Sequence, residues 1–176
     1  MLEGIPVEVA SIEDYPEMPD VVEDGDSFFE NAMKKARAIF DHTGEMVIAD
    51  DSGLEVDYLG GRPGVHSARY AGDNATDEEN NKKLLSELEG ASDEKRGAAF
   101  RCVLILFEGD DKYESFEGKL AGKIGRELKG NEGFGYDPVF IVPEYGKTVA
   151  ELGASVKNRI SHRAVAFQKL KKSLKD

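Results

Sequence analysis

Strands and helices alternate along this chain with no internal repeat and no linker, which predicts one α/β domain on a mixed sheet. Two strand-like stretches, Ala98 to Phe107 and Tyr113 to Ile124, are joined by Gly109-Asp110-Asp111 and predict a long hairpin near its centre. Helical spacing of Phe29, Ala32, Met33, Ala36 and Phe40 predicts one covering layer. A Thr76/Glu79 capping box ahead of Leu84, Leu85 and Leu88 predicts another.

In order, Ile5-Pro6-Val7-Glu8-Val9-Ala10 alternates and predicts a strand. Residues 13–25 are acidic, contain Pro16 and Pro19, and predict a surface loop. A helix follows from Ser27 to about Asp41, with Gly44 as its terminator. Met46-Val47-Ile48-Ala49 predicts a short buried strand running into Asp50-Asp51-Ser52-Gly53. Leu54 to Leu59 alternates until Gly60-Gly61-Arg62-Pro63-Gly64 breaks the pattern. The helix after Thr76 ends at Gly90, and Ala98 to Phe107, the most apolar stretch, predicts a central strand covered on both faces. Beyond the hairpin lie Gly130, Gly133 and Gly135, then a strand from Pro138 to Val142 and a last helix from near Ser161 to about Leu174.

Composition narrows the function. The 176 residues are 40% hydrophobic and 33% charged, ordinary globular values that exclude wholesale disorder. No run approaches the ~18 apolar residues of a membrane span. The single Cys102 excludes an internal disulfide framework and a cysteine-based zinc site, and suits a reducing cytoplasm. A net charge of −12 argues against nucleic-acid binding, which needs surplus Lys and Arg. The charge is also uneven: residues 1–30 hold ten acids and no Lys or Arg, whereas residues 147–176 hold eight bases. Opposite solvated faces explain that, and so does a cleft with acids for a cation on one wall and bases for an anion on the other.

Four stretches carry possible chemistry. Asp50-Asp51 places two carboxylates where an apolar strand is expected to end, the usual place for a ligand in α/β sheets. Hard oxygen ligands with no soft ligand nearby suit Mg²⁺, which takes one or two carboxylates plus substrate phosphates; a capping turn accounts for the same residues. Glu30 either closes a capping box with Ser27 or faces a metal held by Asp51. His162 and Arg163 follow the N-cap Ser161, where cations oppose the helix dipole, so they serve a ligand or sit by chance on a solvated end. Lys157 adds a further cation. In Gly133-Phe134-Gly135-Tyr136-Asp137-Pro138 an aromatic ring either stacks on a flat base or covers the core. His42 and His66 read as structural, and Cys102 lies too deep in an apolar strand to act as a thiolate.

Taken in order, these stretches resemble the inosine triphosphate pyrophosphatase family, the Ham1/RdgB-like non-canonical purine nucleotide pyrophosphatases. The likeness rests on Ser27-Phe28-Phe29-Glu30-Asn31-Ala32 with Lys35-Ala36, on Ala49 through Leu54, on Gly60 through Tyr70, on Gly133 through Pro138, and on Ile160-Ser161-His162-Arg163. It implies a two-lobed single domain around a long mixed sheet flanked by helices, a homodimer, and Mg²⁺-dependent hydrolysis of ITP, dITP and XTP to monophosphate and pyrophosphate. It further implies Glu30 and Asp51 as metal ligands, with Asp51 also accepting a proton from the attacking water. Ser52 matches a nucleotide contact, Phe134, Gly135, Tyr136 and Asp137 the base-binding loop, and Lys157, His162 and Arg163 the remaining substrate-binding set.

Members of that family open with a strand and a Ser/Thr-Gly-Asn-x-x-Lys loop before the segment matching Ile5 to Val9. Met1-Leu2-Glu3-Gly4 matches the end of the helix that follows this loop, so the domain spanning residues 1–176 is expected to be truncated at its N-terminus. Its turnover is then expected to be weak or absent. Two further readings stand beside the pyrophosphatase: an impaired nucleotide-binding fragment, and a haloacid-dehalogenase-like phosphatase with a nucleophilic Asp. Asp51-Ser52-Gly53 breaks the spacing that the second requires.

Overall fold

The computed structural model describes residues 5–175; the Met1 to Gly4 stretch, matched above to a helix end, lies outside the described residues. The elements run α1 (Phe28–Thr43), β1 (Val47–Val56), β2 (Pro63–Gly64), α2 (Asp77–Glu87), β3 (Gly97–Gly109), β4 (Lys112–Ile124), β5 (Phe140–Val142), β6 (Lys147–Thr148), α3 (Val149–Ile160) and α4 (His162–Ser173). The strands form one sheet in the order β2-β1-β3-β4-β5-β6.

Alternation along β3 sorts the core. Val103, Ile105 and Phe107 join Val47 and Ala49 of β1 under Phe28, Ala32, Met33 and Ala36 of α1. Cys102, Leu104 and Leu106 face the other way, under Ala166 and Leu170 of α4. At the far end of the same strands Leu54, Val56, Ala98 and Phe100 pack with Leu84 and Leu88 of α2 and with Val139 and Phe140. The core is thus divided between the two ends of the sheet, with Ser52 to Leu54 at the junction. On β4, Gly118 lets α4 lie directly on the sheet: a side chain there would run into the carbonyl oxygen of His162.

Several expectations stand. Ser27 caps α1, and Gly44 ends it in the left-handed region at φ 69°. Thr76 and Glu79 form the capping box of α2. The β3–β4 hairpin turns at Gly109, Asp110 and Asp111, all with positive φ, and Ser161 caps α4.

Others are corrected. All pairings are antiparallel, so the sheet is not mixed among the described residues. The expected opening strand is absent: Ile5 to Ala10 forms no ladder, and Val7 and Val9 are exposed. Asp50-Asp51-Ser52-Gly53 is not a strand end either, because these residues pair with Leu104, Val103, Cys102 and Arg101 in the middle of the ten-residue β1. Two adjacent acids are tolerated there because a strand points them to opposite faces. Finally, α3 was not foreseen; Gly153, at φ 72° and ψ 165°, breaks its helical geometry and hides its periodicity.

Candidate active site

Asp51 projects toward α1 and is buried. Its Oδ2 accepts from Asn31 Nδ2 at 3.2 Å, and its Oδ1 accepts from Lys35 Nζ at 3.3 Å. The same ammonium stands 3.1 Å from Glu23 Oε2, so two carboxylates share one cation. Burial pushes the Asp51 carboxyl above its usual range; Lys35 and Asn31 oppose that, and neighbouring Glu23 adds to it. Glu23 is held by its backbone, whose carbonyl accepts from Arg69 Nη2 at 2.9 Å. Nothing in the sequence marked Glu23 among the ten acids of residues 1–30.

Glu30 sits at the start of α1 with its Oε2 accepting from the Asp26 backbone N–H at 2.7 Å, and it is exposed. That is helix capping, displaced by one residue from the expected Ser27 partner. Among the described residues no group of three or more His, Cys, Asp or Glu side chains is gathered to hold a metal.

The other candidates converge. Ser52, Phe134, Gly135, Tyr136, Asp137, Lys157, His162 and Arg163 all line one cavity of about 210 Å³. Its loop depends on Gly133 and Gly135, at φ 85° and 60°, conformations that side chains resist. Buried Asp137 closes the loop by accepting from the Phe134 N–H at 3.1 Å and from Lys157 Nζ. From α2, Asp77 accepts from the Gly135 N–H at 2.6 Å, and Asn81 donates to the Gly135 carbonyl at 2.7 Å. The Tyr136 hydroxyl donates to the Ser67 carbonyl at 2.8 Å, while Ser67 Oγ accepts from the Leu54 N–H at 2.8 Å, joining the loop to β1. Phe134 remains 61% exposed, so its ring is an available platform rather than a core filler. Lys157 Nζ lies 4.1 Å from that ring's centroid and the Arg163 guanidinium carbon 5.9 Å.

His162 is 93% buried (7% exposed), stacked on Phe100 at 5.0 Å, and its Nδ1 has no hydrogen-bond partner. Burial, with Arg163 beside it, pushes its pKa down to about 3, so the ring is neutral. Its Nδ1 is closed off from solvent as well as unpaired among the described residues. Cys102 is inert: burial raises its thiol to about 11. His42 is structural, its Nε2 lying 3.0 Å from the Pro16 carbonyl.

An open aromatic platform, a neutral imidazole and two cations gather at one cavity, next along β1 to the buried carboxylate of Asp51, a combination that suits a flat, oxygen-bearing, anionic small molecule. The chain belongs to the Ham1 family, which it matches over residues 1–173. It is 52% identical over 174 residues to a dITP/XTP pyrophosphatase of Geobacter sulfurreducens, covering 99% of this chain and 87% of that protein. A dITP/XTP pyrophosphatase of Shouchella clausii is 51% identical over 166 residues, covering 94% and 84%. Among solved structures, the Staphylococcus aureus Ham1 protein superposes with a TM-score of 0.90 at 43% identity, covering 96% of this chain and 86% of that one. A Coxiella burnetii HAM1 protein gives 0.86 at 47% identity, covering 90% and 81%.

Proposed function

We propose that this chain hydrolyses non-canonical purine nucleoside triphosphates, ITP, dITP and XTP, to the monophosphate and pyrophosphate. The observation that carries the proposal is the single cavity in which Phe134, His162 and Arg163 meet, next along β1 to the carboxylate of Asp51. Its relatives' activity supports the same reading.

Hypoxanthine and xanthine carry a 6-keto oxygen, an acceptor, where adenine carries an amino donor. The base stacks on Phe134. Neutral His162 and Arg163 both offer donors to the keto oxygen. Adenine would set a donor against donors, and an unpaired buried polar group costs about 1–3 kcal/mol.

The residues around Asp51 fit a divalent cation: hard oxygens, two carboxylates sharing one ammonium, and a carboxyl pushed up by burial and by its neighbour. Asp51 and Glu30 are the pair that would hold Mg²⁺, Glu30 through the Oε1 that its capping bond to Asp26 leaves free, and Glu23, which shares the Lys35 ammonium with Asp51, stands beside Asp51. When bound there, Mg²⁺ supplies neutralisation of phosphate charge and easier deprotonation of water. Asp51 accepts the proton of the water that attacks the α-phosphorus, Lys35 faces the phosphates, and pyrophosphate leaves. A homodimer and a cytoplasmic setting belong to the same reading; the family resemblance supports the first, and the single buried Cys102 the second. No described helix is long and apolar enough to cross a membrane.

Incubation with Mg²⁺ and ITP, with pyrophosphate and orthophosphate assayed separately, tests the proposal. Pyrophosphate with a preference for ITP over ATP is expected. Orthophosphate would point to the phosphatase reading, and tight ITP binding without turnover to the impaired binder.

A further inference from the structure

Of the adjacent acids on β1, the chemistry proposed above uses Asp51 and leaves Asp50 without a task. Asp50 faces α4, and its Oδ2 gathers three donors: Ser52 Oγ at 2.9 Å, Arg163 Nε at 3.0 Å and Cys102 Sγ at 3.8 Å. The Arg163 bond joins residues 113 apart in sequence, a strand to the first turn of a helix. Arg163 is poorly fixed by anything else. Its side chain is 35% exposed, and it stands at a helix N-terminus whose dipole repels it. Among the described residues its one hydrogen bond to the protein goes through Nε. A guanidinium carries five N–H donors, so fixing Nε sets the plane of the group and leaves the four terminal donors free. That plane stands near the Phe134 ring, at the wall of the cavity.

We infer that Asp50 is a positioning residue for base selection: by holding Arg163 Nε, and Ser52 Oγ with the same oxygen, it aims the terminal amino groups of Arg163 at the keto edge of a purine. The inference rests on the proposed function, since it needs a keto-purine in the cavity. It also explains why β1 carries two consecutive acids. The strand sends Asp51 to the reacting phosphate and Asp50 to the base-reading arginine, each with its own cation.

The test is calorimetric binding of IMP and AMP, which carry no phosphoanhydride to cleave, to the wild type and to Asp50→Ala, Asp50→Asn, Asp50→Glu, Arg163→Ala and the Asp50→Ala/Arg163→Ala double variant. Wild type should prefer IMP. Asp50→Ala should lose about tenfold of that preference, the value of one charge-assisted hydrogen bond. Asp50→Asn should keep most of it, because an amide oxygen still accepts from Nε. Asp50→Glu keeps the charge but moves it by one methylene and should lose preference, a result that stands even if Asp50→Ala fails to fold. The double variant should fall no further than Arg163→Ala alone. Equal losses for IMP and AMP, or additive losses in the double variant, would reduce Asp50 to a structural residue. A wild type that prefers IMP, with the preference intact in Asp50→Ala and Asp50→Glu, would overturn this inference alone. A wild type with no preference would remove the proposed base reading as well.

Discussion

Asn31 ties the acidic loop to Asp51, and replacing it measures that tie. The residue is fully buried; its Oδ1 accepts from the Gly25 N–H at 2.8 Å and its Nδ2 donates to Asp51 Oδ2 at 3.2 Å. A backbone N–H can only donate, so the amide oxygen must face Gly25, which turns Nδ2 onto the carboxylate. Asn31→Ala removes a neutral bond worth about 1 kcal/mol and a bond to a charged group worth about 1.5–3 kcal/mol, roughly 2.5–4 kcal/mol together. With a urea slope of about 2 kcal/mol per molar, the unfolding midpoint should drop by about 1–2 M. Asn31→Asp is nearly isosteric and keeps an acceptor toward Gly25, but it sets a charged oxygen against Asp51. At 3.2 Å and an effective dielectric constant of about 20, two unit charges repel by about 5 kcal/mol, an upper limit because either acid can take up a proton. Urea unfolding at pH 7.5 in a chelating buffer is the assay. Asn31→Asp is expected to fall at least as far as Asn31→Ala. An Asn31→Asp protein clearly more stable than Asn31→Ala would refute the assigned direction of the amide and the tie with it.

Asp51→Asn should abolish pyrophosphate release while circular dichroism shows the fold nearly intact; retained turnover would remove Asp51 from the chemistry. His162 stays neutral in the folded state down to about pH 3 but charges near its ordinary value when unfolded. The unfolded chain therefore binds the extra proton first, and the stabilisation, complete above about pH 6.5, is lost progressively as pH falls toward 3. His162→Gln, which cannot charge, should lose less stability than wild type between pH 7 and pH 5, as read by thermal melts at both values. Gly118→Val pushes a side chain into the His162 carbonyl and should cost about 1–3 kcal/mol by overpacking. It should also weaken IMP binding, because the start of α4 carries both His162 and Arg163. Unchanged IMP affinity in that variant would mean that α4 tolerates displacement without disturbing the site.

Local signals were legible in the sequence where one short stretch settled the outcome. Ser27, Thr76 and Ser161 cap the helices expected of them, and Gly109-Asp110-Asp111 turns the central hairpin. The residues that meet at the cavity were legible for the same reason, since Phe134 to Asp137 form one loop and His162-Arg163 one helix start. What escaped depends on chain partners distant in sequence. Ile5 to Ala10 alternates like a strand, but a strand exists only with a neighbour, and none pairs with it among the described residues. The continuity of β1 through Asp50-Asp51 required knowing that Lys35 and Arg163 come from opposite faces to meet the two acids. Glu23 reaches the site through the Arg69 bond to its backbone, a contact across 46 residues that no local pattern encodes.

These long-range ties explain how one strand can serve two tasks. Asp51 and Asp50 are neighbours in the chain but face different layers, so on the proposed reading the sheet separates proton acceptance from base selection. Gly53 lines the same cavity as Phe134 and His162, and a side chain there would run into the Gly64 carbonyl oxygen, Ser67 Oγ at 2.6 Å and the Phe28 ring at 2.8 Å. Gly53→Ala should therefore weaken both IMP binding and ITP turnover, because it displaces the strand that carries Asp51 and Ser52 and forms part of the cavity wall. Unchanged IMP affinity in that variant would mean that β1 takes up the side chain without disturbing the cavity.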